Sequence, residues 1–173
     1  EIEYCWFVCL YKLDILFATT QGSVRRNKLS DLRNIRSNGL IAMKLEGDEK
    51  LVDVKICSDD EDVVLATRLG RAIRFDVADL RVFTGRTSTG VRGVKLQKDD
   101  DVISMSILKH VTATPEERTA YLKRASALRG ADAEGMEFEG DAANISDERF
   151  AELQAAEQFL LTVPTGGFGK RTS

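Results

Sequence analysis

Residues 62–96 decide the fold, and they read DVVLATRLGRAIRFDVADLRVFTGRTSTGVRGVKL. An apolar run over 63–66 leads into the turn sequence Thr-Arg-Leu-Gly. Apolar and charged residues then alternate over 73–77, and a run rich in Gly, Thr, Ser and Arg follows. Short strands separated by turn residues are typical of an all-β repeat unit.

The same pattern occurs 48 residues earlier, as DILFATTQGSVRRNKLSDLRN. Eight pairs are identical at this shift, from Asp14 and Asp62 onwards, and five more are identical at a shift of 51, after three extra residues in the second copy. These are 13 identities over 43 aligned positions. A third copy begins near Gln158, as FLLTVPTGGFGKRTS. A period near 50 residues with several strands per unit predicts propeller-like blades.

The repeat predicts the domain organisation. We expect a mainly β fold of partial, propeller-like blades built from antiparallel sheets, with an inserted α-helical hairpin. Because the chain starts at Glu1 and stops inside a repeat, we expect it to be a fragment of a longer protein. The predicted segments are an unassigned N-terminal strand or fragment edge at 1–13, a first blade at 14–58, a second blade at 59–108, an acidic helical insertion at 109–156 and the start of a third blade at 157–173.

Two strand positions differ between the copies. Arg25 and Asn27 stand where the second copy has Ile73 and Phe75, so we expect the strand after Gly22 to bury less than its counterpart or to be exposed. The final strand of each copy is more regular. Apolar residues alternate with polar ones over 52–56 and 103–107, which predicts one buried face.

The segment after the second copy breaks the β pattern. Pro115 followed by two glutamates is typical of a first helical turn, and Gly130 is expected to end that helix. Residues 131–144, rich in Gly and acids, predict a flexible loop. Ser146 is the expected N-cap of a second helix that runs to about Gln158, with Phe150 and Leu153 on one face.

Charge is unevenly distributed along the chain. The net charge is −3, but residues 110–156 carry −5 and residues 14–109 carry +2. The overall balance therefore does not exclude a polyanionic partner for the repeats.

Cys5, Cys9 and Cys57 lack metal-ligand partners in the sequence and are expected to be reduced, cytosolic thiols. The apolar run at 5–10 is too short to cross a membrane.

The phrases LFATTQGSVRRNKLSDL, VLATRLGRAIRFDVADLRVFTGRTSTGVRG and FLLTVPTGGFGKRTS resemble blades of the C-terminal domain of the bacterial DNA gyrase A subunit. The resemblance covers roughly residues 14–109 and 157–173. It implies a β-pinwheel that binds and wraps DNA in a type IIA topoisomerase. The C-terminal domain of the A subunit of topoisomerase IV is the nearest alternative, and a propeller-like protein-interaction module is another. The acidic run of the insertion is interpreted as a solvated linker, and the alternative is a DNA mimic that competes for the basic face of the repeats.

Repeated cations supply the chemistry that such a function needs. Guanidinium groups, hydroxyls and glycine amides along the FTGRTSTGVRG run can all donate to phosphate oxygens. Wrapping requires many phosphate contacts along a curved path and no base-edge readout. The resemblance and the repeat together predict DNA contacts from Arg25, Arg26, Lys28, Arg68, Arg71, Arg74, Arg81, Arg86, Arg92, Lys170 and Arg171.

No catalytic set of residues is visible in the sequence. The resemblance implies that the DNA-cleaving tyrosine and the ATPase lie in other domains, and Tyr4, Tyr11 and Tyr121 sit in no matching motif. The basic, glycine-rich box of the family is not found either. By resemblance, the partners are double-stranded DNA, the gyrase B subunit, and a second gyrase A subunit. The resemblance also implies that the complete gyrase enzyme uses Mg and ATP, whereas no cofactor is expected in this segment. The implied location is the bacterial cytoplasm, at the nucleoid.

Overall fold

A computed structural model describes residues 13–35, 37–128 and 145–173. The chain divides into two compact units, which meet in sequence between His110 and Val111. The strand expected within residues 1–13 and the loop expected at 131–144 fall, apart from residue 13, outside the described residues.

The first unit is built from short strands, as the repeat predicts. Turn glycines with positive φ separate them, Gly22 (81°) and Gly70 (82°) lying at matching positions. Short 3₁₀ turns cover Leu29–Leu32 and Val77–Asp79. The strands are β1 Asp14–Thr19, β2 Ser23–Lys28, β3 Leu51–Cys57, β4 Glu61–Thr67, β5 Ala72–Asp76, β6 Val82–Phe83, β7 Val91–Arg92 and β8 Val102–Lys109.

In the described part of the first unit the strands form two sheets, and these interlock the repeats. The first has the order β3-β1-β2-β6, with β7 also paired to β2, and the second has the order β5-β4-β8. Strand β6 pairs with β2 in parallel, whereas β7 pairs with it antiparallel. Both strands come from the second sequence repeat. The first sheet therefore extends across the predicted boundary between 14–58 and 59–108.

The burial of β2 is the reverse of our expectation. Residues 24–27 are all buried, whereas 72–74 of β5, the matching strand, are exposed. The expectation was wrong because β2 is covered by β6 and β7, while β5 lies at the outer position of its sheet. Strand β2 therefore contributes polar side chains to the interior.

The core draws on both repeats. Its fully buried members include Leu16, Val24, Leu65 and Val102. The single buried face predicted for 103–107 is only partly observed, because Ile103 is 55% exposed. The pairing of β4 with β8 shifts register next to this residue, so that Ile103 is the extra residue of a bulge.

The second unit contains the predicted helices α1, Pro115–Leu128, and α2, Asp147–Ala155. Ser146 is confirmed as the N-cap of α2, since its side chain accepts from the Arg149 amide at 3.2 Å. Helix α2 ends at Ala155, earlier than expected. Tyr121 packs on Phe150 with ring centroids 5.2 Å apart. A short antiparallel hairpin follows, β9 Leu160–Thr162 and β10 Lys170–Thr172, where the third copy was expected. Among the described residues, no helix is long and apolar enough to span a membrane.

Candidate nucleic-acid interface

The turn between β4 and β5 presents two arginines to solvent. The Gly70 amide donates to the Thr67 carbonyl at 3.0 Å, which closes the turn and leaves Arg68 and Arg71 exposed. Arg68 pairs with Asp101 at 2.6 Å, but its side chain is 63% exposed. An exposed ion pair of this kind stabilises the fold by at most about 1 kcal/mol, so a phosphate can replace the carboxylate at little cost.

Two further arginines lie on a stretch that we call the 83–92 segment, which runs from Phe83 to Arg92. Arg92 is exposed, and Arg86 is half-buried. Arg86 and Thr87 line an open groove of about 900 Å³ together with residues Asn34 and Asn38–Ile41. The groove thus places a guanidinium, a hydroxyl and side-chain amides around one accessible space, and all of these groups can donate hydrogen bonds to phosphate.

Glycine allows the 83–92 segment to lie directly on β2. Gly90 has φ +102°, and a Cβ added there would lie 2.5 Å from the carbonyl oxygen of Val24. No other residue fits both this backbone conformation and this approach. The matching Gly39 also has a positive φ, +83°, but nothing lies within 4 Å of its Cβ position.

Arg25 does not reach the surface, so its predicted contact with DNA is wrong. Its side chain is fully buried, and its guanidinium donates to the carbonyls of Gly85 and Ser88 and to the Asn27 amide oxygen, the last at 2.8 Å. Burial lowers the pKa of Arg25. The Asn27 amide nitrogen in turn donates to Phe83 O at 2.7 Å. These two side chains hold the 83–92 segment in place.

The predicted DNA contact of Arg26 is wrong for the same reason, since only 3% of its side chain is exposed. It donates to Asp14 Oδ2 at 2.6 Å and to the Val77 carbonyl at 2.8 Å, and it also pairs with Asp59. Burial opposes the charge, but the hydrogen bonds to Asp59 and Asp14 keep the pKa of Arg26 raised. The same pairing lowers the pKa of Asp59.

The matching arginine of the second repeat lies in a more open cluster. Arg74 is 46% exposed and pairs with the buried Asp62 at 2.5 Å. His110 Nδ1 lies 2.8 Å from Asp62 Oδ1 and 3.5 Å from Asp76 Oδ1. The hydrogen bond to Asp62 raises the pKa of His110. Burial favours the neutral acid at Asp62, but the hydrogen bonds from His110 and Arg74 lower its pKa overall.

The ligand atoms of Asp62, Asp76 and His110 all lie within 4.8 Å of one another, a spacing that a metal ion could bridge. Arg74 already donates to Asp62 Oδ2 from Nε at 2.7 Å, however. The guanidinium therefore already supplies a cation to this cluster, and we interpret the group as an ion-pair cluster.

The remaining predicted cations have mixed surroundings. Lys28 is 45% exposed and lies 2.8 Å from Asp14 Oδ1. Arg81 is exposed and lies over the Phe83 ring, 4.2 Å from its centroid. In the second unit, Lys170 and Arg171 are exposed on β10, and Arg171 lies 4.5 Å from the Phe159 ring centroid.

The predicted contacts leave out several exposed cations of the repeats, among them Lys95 and Lys98. The sequence did contain a signal for Lys95, because it matches Lys44 in the first repeat.

The predicted reduced state of Cys57 agrees with its position, because it is a buried free thiol and burial raises its pKa to about 11. Cys5 and Cys9 lie outside the described residues.

Interlocked blades of short strands, with arginines on an exposed turn, define a propeller-type repeat protein. The family model described as the DNA gyrase C-terminal domain, beta-propeller, matches residues 13–58 and 61–109, which correspond to the two sequence repeats. The chain belongs to this DNA gyrase C-terminal domain family.

Curated relatives agree with this assignment. The chain is 51% identical over 93% of its length to the A subunit of DNA gyrase from Granulibacter bethesdensis, and 48% identical over 93% to that from Rickettsia bellii. It spans 19% and 18% of those two proteins, about a fifth of their length.

Solved structures share the fold. The C-terminal domain of DNA topoisomerase IV matches with a TM-score of 0.54 and 26% identity, covering 57% of this chain and 30% of that one. The DNA gyrase A C-terminal domain matches with a TM-score of 0.50 and 28% identity, covering 56% and 31%.

Proposed function

We propose that the chain is a DNA-binding and DNA-wrapping segment of a type IIA topoisomerase, as part of the A subunit of DNA gyrase. In this function it carries out no chemistry itself and contributes to ATP-dependent negative supercoiling by the parent enzyme. The observation that carries the proposal is the position of four arginines on repeats that belong to the gyrase family. Arg68, Arg71 and Arg92 are exposed, and Arg86, which is half-buried, lines the open groove.

These residues suit contact with the DNA backbone. They lie on turns and on the 83–92 segment, so their guanidiniums can approach phosphates without a helix or ribbon entering a groove. Guanidinium groups donate bidentate hydrogen bonds to phosphate, and such contacts carry no base information. Binding should therefore be independent of sequence and strongly dependent on salt.

The parent enzyme sets the partners in this proposal. They are double-stranded DNA, the gyrase B subunit, and a second gyrase A subunit. Mg and ATP are used elsewhere in that enzyme, this segment needs no cofactor, and the site of action is the bacterial cytoplasm at the nucleoid. The topoisomerase IV A subunit is the alternative parent, and the names of the curated relatives favour gyrase.

A salt titration of duplex binding tests the proposal. Replacing Arg71, Arg86 and Arg92 with Ala should weaken binding to all sequences alike and flatten the slope of log K against log salt by about 2–3, at about 0.9 per phosphate contact. The Arg→Lys triple variant is the matched control, and because it retains the charges it should keep most of the slope. If the folded Ala variant binds with an unchanged slope, the basic turns do not contact DNA and a protein-interaction module becomes the better account.

A further inference from the structure

We propose that Arg25 and Asn27 are positioning residues for DNA binding, which hold the 83–92 segment so that Arg86 and Arg92 face the duplex. The inference rests on the proposed function. It assigns the two residues a role different from the direct contact that the sequence suggested for Arg25.

The geometry of the two side chains is that of a clamp. Arg25 Nε donates to Asn27 Oδ1 at 2.8 Å, which fixes both side chains relative to each other. The two terminal guanidinium nitrogens then donate to Ser88 O and Gly85 O. Asn27 Nδ2 donates to Phe83 O at 2.7 Å and to Gly85 O at 3.2 Å. Three carbonyls within six residues of the 83–92 segment are thus held from one buried strand.

The clamp is costly as a device for stability alone. Arg25 and Asn27 are 0% and 1% exposed, and burying a charge and an amide carries a desolvation penalty that the hydrogen bonds must offset. The second repeat has Ile73 and Phe75 at the same positions, but on the outer strand β5, where Ile73 is 37% exposed. The buried polar pair therefore accompanies the strand on which the 83–92 segment lies. We infer that the polar pair is used because directional hydrogen bonds fix one backbone conformation of the segment, which apolar packing does not.

The clamped backbone bears the groups that would meet DNA. Ser88 lies two residues after Arg86 and four before Arg92, so its fixed carbonyl sets the path between the two arginines. The buried charge of Arg25 is also close to this surface, and the oxygens that it contacts are neutral. Arg25 therefore contributes positive electrostatic potential beneath the 83–92 segment, in addition to fixing its backbone conformation.

The test measures duplex binding against salt in the full-length protein that carries this chain. Arg25→Lys keeps the charge but removes the planar fork, and Asn27→Ala removes the second donor. Each should flatten the salt slope by about 1–2, at about 0.9 for every phosphate that is no longer bound, and should speed hydrogen exchange at amides 84–90. Ile73→Ala, at the matching position of the other repeat, is the control and should change neither quantity.

A double-mutant design separates positioning from general stability. In the Arg86→Ala, Arg92→Ala background, Arg25→Lys should have no further effect on the slope, because the groups through which it acts are gone. A merely structural residue would lower the melting temperature and leave the slope of the folded fraction unchanged. If Arg25→Lys fails to fold, Asn27→Ala takes its place in the test, both in the wild-type protein and in the Arg86→Ala, Arg92→Ala background.

The outcomes are distinct. An unchanged slope in both folded clamp variants, or an effect that adds to that of Arg86→Ala, Arg92→Ala, overturns the positioning role while leaving the proposed function intact. A slope unchanged by Arg86→Ala, Arg92→Ala itself contradicts the proposed role of the segment in DNA binding and the clamp with it.

Discussion

Single residues in matching repeat positions have different tasks in this molecule. Asp14 and Asp62 are both buried, and each pairs with the arginine twelve residues later, Arg26 or Arg74. In the first repeat this arginine is buried and also donates to carbonyls of the second repeat. In the second repeat it is half-exposed and shares Asp62 with His110. The same Asp–Arg motif thus joins the two repeats in the interior at Asp14 and Arg26, and forms a partly exposed ion-pair cluster at Asp62 and Arg74.

This difference predicts that alanine substitutions of the two arginines reduce the stability of the fold unequally. Arg26→Ala leaves the buried Asp14 with only the half-exposed Lys28, and it also removes the bonds to the Val77 and Leu80 carbonyls, so it should destabilise the fold by about 3–5 kcal/mol. Arg74→Ala removes a half-exposed partner, while His110 still contacts Asp62, and should cost about 1 kcal/mol. Urea denaturation of the two variants measures the difference. Equal losses would show that the interlock with the second repeat contributes nothing to stability.

The raised pKa of His110 predicts a pH-dependent contribution to stability. Asp62, Asp76 and Arg74 surround this imidazole, and its protonated form is favoured in the folded state by the bond to Asp62. Because the folded pKa lies above the unfolded value of about 6.5, the contribution is fully present below that pH and is lost as pH rises through the folded pKa.

Melting temperatures of the wild type and His110→Gln, measured at several values between about pH 5.5 and 8.5, check this. The wild type should be the more stable at the acidic end, and the difference should shrink towards the alkaline end. A difference that does not change with pH would contradict it.

At the scale of elements, the sequence predicted where strands and helices lie better than it predicted which faces they bury. Turn glycines, period-2 alternation and the Ser146 cap are local signals, and the strands and helices lie where these signals indicate. The burial of Arg25 and Asn27 depends on β6 and β7, which arrive from more than fifty residues away, and nothing within β2 shows that they will. For this reason the DNA-binding roles predicted for Arg25 and Arg26 were wrong.

The approach of the 83–92 segment to β2 predicts a contrast between two glycines. Gly39→Ala suffers only the strain of a positive φ, on the order of 1 kcal/mol. Gly90→Ala has the same strain and also places a methyl group 2.5 Å from the Val24 carbonyl oxygen, so we expect a cost of about 2–4 kcal/mol. Thermal unfolding of the two variants measures both, and equal effects would mean that the segment does not lie against β2.

On the scale of the whole molecule, the repeats and the insertion carry net charges of opposite sign. Residues 14–109 carry +2 and residues 110–156 carry −5, so the insertion should repel phosphate. Deleting residues 111–156 should therefore leave duplex affinity unchanged or raise it, most clearly at low salt, where screening is weakest. A strong loss of affinity in the deleted, folded protein would show that the insertion itself contacts DNA.

The central claim is that the arginines of the β4–β5 turn and of the 83–92 segment hold wrapped DNA, and plasmid supercoiling by the proposed parent enzyme tests it most directly. The enzyme carrying Arg71→Ala, Arg86→Ala and Arg92→Ala should lose supercoiling but retain relaxation and DNA cleavage on the same plasmid preparation, because the proposed function assigns this segment no chemistry. The Arg→Lys triple variant, which keeps the charges, should retain most of the supercoiling. Full supercoiling by the folded Ala variant would place these arginines off the DNA path and contradict the account.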